Sequence, residues 1–305
     1  MAKYSKTRLN LEYLAARIVL GTLSHLPPPA AMAVGRFIGR LTYIFAADLR
    51  RTGRRNLLLA FPEKTEEERE QLLLGCFRSL GRTLGFFSQF FTRSPEALKQ
   101  SFDITSLEQI EAARALGKGI IFYTAHLGMW ELTCQAVCIV DKQFTVLVRR
   151  IDNPKVEQLV DQARSKFGNR TLDKNSAARS MVRLLRDGDS FGLLPDLNTL
   201  ETEGVFVDFF GVPASTTFMM AKIALRTQAP IIPVFAPWNE QTKKYDVIVD
   251  PVVTAPLTGD EETDVHALTS AITKVVENRI RQYPDQWLWI HKRWKTRPPG
   301  DPAIY

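Results

Sequence analysis

The chain has 305 residues, 45% of them apolar and 24% charged, which is enough for a full core and excludes a disordered or fibrous chain. A net charge of +7 favours acidic partners: nucleic acid, anionic lipid or an acidic carrier protein. Its three cysteines, Cys76, Cys134 and Cys138, form no Cys-x-x-Cys pair, which argues against a disulfide framework and fits a reducing compartment.

The N-terminus opens with Lys3, Lys6 and Arg8. It then runs apolar to Leu26, interrupted by Glu12 and Arg17 and stopped by three prolines at 27–29. No small-residue cleavage site follows, so a secretory signal is rejected. The stretch is too short and too charged for an ordinary transmembrane helix. The expectation is an interfacial anchor or one marginal span, set against two helices that merely cap a soluble domain. A second apolar segment, 30–47, carries only Arg36 and Arg40 as charges. Thr65 with Glu68 forms a capping box and starts a helix. That helix ends in Phe-Phe-Ser-Gln-Phe-Phe at 86–91, read either as core or as a surface for an acyl chain.

From 106 the chain alternates. A helix to Gly117 precedes a strand at 120–125, a helix near 128–139 and a strand at 144–149. Asn153 as cap, Pro154 at the first helical position and Gly168 past the end delimit the next helix. A short Arg-Thr-Leu segment, a helix near 176–186 and a strand at 190–194 follow, then a long loop at 195–216. A helix at 217–228, strands at 230–236 and 245–250, and a closing helix at 262–283 complete the pattern. Short apolar strands alternating with helices predict an α/β fold with a largely parallel sheet covered on both faces. The predicted organisation is a membrane-associating helical segment, 1–48, followed by one α/β domain, 49–305.

Ligands of such sheets sit beyond the C-terminal strand ends, where His126 lies. His126 and Glu131 would stand about 140° apart on an ideal helix, so they can meet only if His126 sits in the turn before it. Gly128 eases that turn. A carboxylate on one ring nitrogen would leave the other as a general base. The alternative is a structural histidine. The other histidines, His25, His266 and His291, offer no metal-ligand spacing. Without a Gly-x-Ser-x-Gly elbow or a Cys beside a His, direct attack by a substrate hydroxyl is expected, with no covalent enzyme intermediate. No Gly-rich phosphate loop is present.

His126-Leu-Gly-Met-Trp-Glu131 resembles the His-x4-Asp/Glu signature of glycerolipid-type acyltransferases, and more narrowly the late lauroyl and myristoyl acyltransferases of lipid A biosynthesis. Further similar stretches are RRNLLLAFPE (54–63), VRRIDNP (148–154), LLPDLN (193–198), FVDFFGVPASTT (206–217) and QWLWIHKRWKTRPPG (286–300). The ordered set covers about residues 50–305. The resemblance implies transfer of a fatty acyl chain from an acyl carrier protein thioester to a hydroxyl of a lipid A precursor, at the cytoplasmic face of a bacterial inner membrane. It implies His126 as base with Glu131 as its partner, and Arg149, beside Arg150, and Asp196 as substrate-binding residues. The Asp196-Leu-Asn run departs from the family's usual His or Gln near this aspartate. His291, Lys292, Arg293, Lys295 and Arg297 would dock anionic head groups or the carrier. Acyl transfer needs no metal or redox cofactor, and none is expected. The runner-up keeps the chemistry with another glycolipid, phospholipid or aminolipid acceptor and an acyl-CoA donor. An acceptor pocket over 84–92 and 196–217 would distinguish them. A non-catalytic lipid module would have no need of His126 and Glu131. A nucleic-acid binder has only the Arg50–Arg55 run to offer.

Overall fold

The computed structural model describes residues 5–140, 145–173 and 178–305. Lys3 and the first residues of the strand expected at 144 and the helix expected at 176 lie outside them. Four helices come first: α1 (Lys6–His25), α2 (Pro28–Phe45), α3 (Ala47–Ala60) and α4 (Glu66–Phe87). The capping box at the start of α4 is formed in both directions, Thr65 with Glu68. The rest of the chain alternates: α5 (Pro95–Lys99), β1 (Phe102–Thr105), α6 (Glu108–Arg114), β2 (Ile121–Tyr123), α7 (Trp130–Val140), β3 (Thr145–Val148), α8 (Pro154–Ser165), β4 (Arg170–Asp173), α9 (Ala178–Arg186) and β5 (Phe191–Leu193). It closes with β6 (Gly204–Phe209), β7 (Val212–Thr217), α10 (Met219–Thr227), β8 (Ile231–Phe235), β9 (Trp238–Asn239), β10 (Lys244–Val249) and α11 (Glu261–Gln282).

The main sheet runs β1-β10-β8-β2-β5-β3-β4, with β9 paired to β10. From β8 to β4 every pairing is parallel, as the helix-strand alternation predicts. β10 is antiparallel to β8 because only a short connection joins them, and parallel neighbours need a long crossover. Side chains alternate across the sheet. Ile121, Tyr123, Phe191 and Leu193 enter one buried cluster, while Phe122, Val146, Ile232 and Val234 enter the other.

The segment 195–216, expected as one long loop, instead contains the antiparallel hairpin β6–β7. Its two-residue turn is Phe210-Gly211, both at positive φ (58° and 77°). Hairpin turns of this geometry favour Asn or Asp ahead of the glycine, so an aromatic there hides the signal. The Phe210 N–H donates to the buried Glu277 carboxylate at 2.8 Å, which holds the turn.

The N-terminal helices dock on the domain. α2 meets α4 backbone to backbone: a Cβ on Gly35 would lie 2.1 Å from the Gly81 carbonyl oxygen. The far side of this pair of helices is apolar and exposed, with Phe37 61% and Phe45 78% accessible. Among the described residues no single helix is long and apolar enough to cross a membrane. Only α2 and α3 together reach that length and composition, and they are bent by 91°. The 86–91 run is core: Phe86, Phe87 and Phe90 are buried, and Phe86 packs on Tyr245 at 4.9 Å.

Candidate active site

β2 is buried on both faces and delivers the chain to His126 at its C-terminal end. The turn that follows is clamped from several directions. Gly128 takes φ +60°, and a Cβ there would lie 2.2 Å from the Ala236 carbonyl oxygen, so only glycine fits. Its N–H donates to the Gln286 carbonyl at 3.0 Å, and its carbonyl accepts from the Thr83 hydroxyl at 2.9 Å. The Met129 N–H reaches the Ala236 carbonyl at 2.8 Å, and the Leu288 N–H reaches that of His126 at 3.0 Å.

His126 faces Asp196, not Glu131. Its Nδ1 lies 2.9 Å from Asp196 Oδ1, and its backbone N–H donates to Oδ2 at 2.8 Å. The Trp287 indole N–H donates to the same Oδ2 at 2.8 Å. The Asp196 side chain is fully buried, while 20% of His126 remains accessible. Burial pushes the Asp196 carboxyl up, but the facing His126 and these hydrogen bonds outweigh it. The group therefore stays below the usual carboxylate range. An acid bonded to Nδ1 sets the tautomer and leaves Nε2 to act on a substrate.

The expected His126–Glu131 contact is therefore replaced. Glu131 sits in the first turn of α7, whose phase turns it toward α8. There Arg164 grips its carboxylate in a fork, at 2.9 Å through Nε and 2.5 Å through Nη2. Burial opposes the Arg164 cation, but the Glu131 hydrogen bonds dominate and its pKa is raised. Asp196, expected as a substrate-binding residue, is buried and faces His126. Sequence order hides this, because seventy residues separate the two, and only the pairing of β2 with β5 brings them together.

His126, Glu131 and Arg164 line one cavity of about 690 Å³, within the usual range for ligand sites. Of its lining residues the exposed Arg149 marks the mouth, and the buried, apolar Phe122, Val137 and Val146 mark the foot. Arg149 is three-quarters accessible, with Asp152 only at 4.0 Å. Arg150 is instead held by Glu157 at 2.8 Å on α8, and does not line the cavity. The 84–92 segment does not line it either, whereas 197–199 and 217 do.

The C-terminal basic segment is mostly structural. Arg293 is 1% accessible and donates to the Ser215 carbonyl at 2.7 Å; burial pulls its pKa down to about 10. Arg297 donates to the Pro213 carbonyl at 2.6 Å. Only Lys292 and Lys295 of the cluster stay exposed. His291 lines the cavity and accepts the Asn198 N–H at 3.3 Å; burial lowers its pKa. Trp287, Arg164 and the role of His291 were not singled out from sequence. A cluster of tryptophans beginning three residues after Pro284 was the available signal for the first.

The bacterial lipid A biosynthesis acyltransferase family model matches residues 1–296. The lipid A biosynthesis lauroyltransferase of Escherichia coli K12 is 28% identical over 313 residues, covering 100% of this chain and 99% of that protein. The myristoyltransferase of the same organism is 26% identical, covering 91% and 83%. Its palmitoleoyltransferase is 25% identical, covering 99% and 98%.

Proposed function

The chain belongs to the bacterial lipid A biosynthesis acyltransferases, and from that premise we propose that it moves a fatty acyl chain from an acyl carrier protein thioester to a hydroxyl of a lipid A precursor. His126 is the general base. Its Nε2 takes the hydroxyl proton as the oxygen attacks the thioester carbonyl. The tetrahedral intermediate then collapses, the thiolate leaves, and the imidazolium returns the proton to it. Asp196 steadies the imidazolium through Nδ1, and Trp287 steadies Asp196. General base action is worth about 10²–10⁴-fold.

Glu131 takes a positioning role. It fixes Arg164 in the cavity wall and consumes two of that guanidinium's five N–H donors. A held cation beside the thioester suits the negative charge of the tetrahedral intermediate. Arg149, exposed at the mouth and only loosely paired with Asp152, suits a phosphate of the acceptor. The +7 charge suits both an acidic donor and a phosphorylated acceptor.

Residues 1–48 form the membrane-facing segment and 49–305 the catalytic domain. Leu11, Leu14 and Ile18 on α1, with Phe37, Ile44 and Phe45 on α2, are exposed, and Arg36 and Arg40 stand among them. Such a surface suits burial in the anionic cytoplasmic leaflet of the inner membrane.

The observation that carries the reading is the buried acid behind a part-exposed imidazole, at the mouth of a cavity with an apolar foot. Mass spectrometry of lipid A tests it, in cells lacking this chain and complemented with wild type or His126→Ala. The expected outcome is one missing acyl chain, restored by wild type alone. Restoration by a folded His126→Ala protein would remove the mechanism.

A further inference from the structure

The cavity's foot is shaped by a missing side chain. In the register of the sheet, Ile232, Phe122, Gly192 and Val146 form one row across β8, β2, β5 and β3. Phe122, Val146 and Ile232 all enter the cluster on the α7 face, whereas Phe191 and Leu193, flanking the glycine, enter the cluster on the opposite face. Gly192 therefore takes the place of a side chain on the α7 face, between Phe122 and Val146. All three line the cavity, and Val137 of α7 lines it opposite.

Glycine weakens a strand interior, and central strands favour branched residues. It is kept there at bulges, at bends, or where a ligand comes close to the backbone. β5 has no bulge at this point: its pairing with β2 is regular through Ile121↔Phe191, Phe122↔Gly192 and Tyr123↔Leu193. Close approach of a ligand is a reason that fits here, because Gly192 lines the cavity.

The depth agrees with that. Phe122 lies on β2, four residues before His126, and so at most about 13 Å behind it along the chain. Along α7, Val137 lies six residues beyond Glu131, about 9 Å at a helix's rise. Polar groups occupy the mouth and apolar ones the foot, the polarity of a thioester with its hydrocarbon tail.

We propose that Gly192 sets the length of the acyl chain this cavity accepts, by leaving room for the tail's end between Phe122 and Val146. This rests on the acyl-transfer reading above. A side chain at 192 shortens the accepted chain, and trimming Val146 lengthens it.

The test is a competition assay. Purified full-length protein receives a lipid A precursor and an equimolar mixture of saturated acyl thioesters of increasing length, with products resolved by mass spectrometry. Gly192→Ala and Gly192→Val are expected to move the product ratio progressively toward shorter chains, by roughly tenfold or more for valine, since one methylene in an apolar pocket is worth on the order of 10–200-fold. Val146→Ala is expected to move it toward longer chains, and it decides the matter if the Gly192 variants fail to fold. A purely structural role would lower turnover of all lengths alike. Active variants at both positions with the wild-type ratio would overturn the inference. Wild-type protein that transfers no chain of any length would instead overturn the acyl-transfer reading, and this inference with it.

Discussion

Two walls of the cavity each carry an acid facing a base, and they differ in what the base can do. On the sheet side, Asp196 faces an imidazole, a ring with one nitrogen held by the acid and a second left to exchange a proton. On the helix side, Glu131 faces a guanidinium that cannot. The sheet-side acid is fully buried behind an imidazole that is 20% accessible, and the pair is clamped by the Trp287 indole and the Gly128 turn; the helix-side pair shares its exposure evenly, at 16% and 14%. On the proposed mechanism, one wall moves a proton and the other holds a fixed charge. The contrast supports His126 as the proposed base and a positioning role for Glu131.

The largest expected effect breaks the sheet-side wall outright. His126→Ala should cost turnover at least the 10²–10⁴-fold of a general base, with circular dichroism unchanged, because the ring is part-exposed and not a core element. A loss this large from Arg164→Lys alone, with His126→Ala near wild type, would reverse the roles of the walls.

A smaller effect separates the walls by pH. The Asp196 carboxyl has a folded pKa below its unfolded value, so the stability it contributes is complete above the unfolded pKa. That contribution is lost as pH falls through the lower folded value. Asp196→Asn should therefore lower the melting temperature near neutral pH and flatten its decline in acid, as thermal melts across pH would register. An acid limb as steep as wild type would mean that Asp196 is not held as described.

The smallest effect concerns the rim. Arg149→Ala should weaken use of a phosphorylated acceptor, seen in KM more than in kcat, because Arg149 lines the cavity mouth. Arg150→Ala should leave KM alone and cost only a fraction of a kcal/mol in stability, because Arg150 makes a part-exposed ion pair with Glu157. The reverse order would place the acceptor elsewhere.

Local signals predicted local structure well. Thr65 with Glu68, and Asn153 with Pro154, mark helix starts that the structure reproduces, because both signals act within one turn. The apolar run ahead of His126 placed it at a strand's end by the same kind of short-range logic. The partner of His126 was not readable that way. Glu131 is near in sequence but is carried off by the phase of α7, while Asp196 is distant in sequence and adjacent through strand pairing. The C-terminal basic run was only partly legible for a related reason. Its charges suggested a surface, yet Arg293 is buried against Phe209 at 5.0 Å and ties the β6–β7 hairpin to the tail. Charge reports solvent exposure only until a buried hydrogen-bond partner is found for it.

The central claim is that Asp196, and not Glu131, holds the Nδ1 proton of His126. With only four histidines in the chain, selective ¹⁵N labelling of the imidazoles and proton NMR can observe it directly. The wild-type protein should show a downfield, exchange-protected Nδ1 proton that is absent from His126→Ala. It should persist in Glu131→Gln and shift or vanish in Asp196→Asn. A proton that survives Asp196→Asn and disappears with Glu131→Gln would contradict the account.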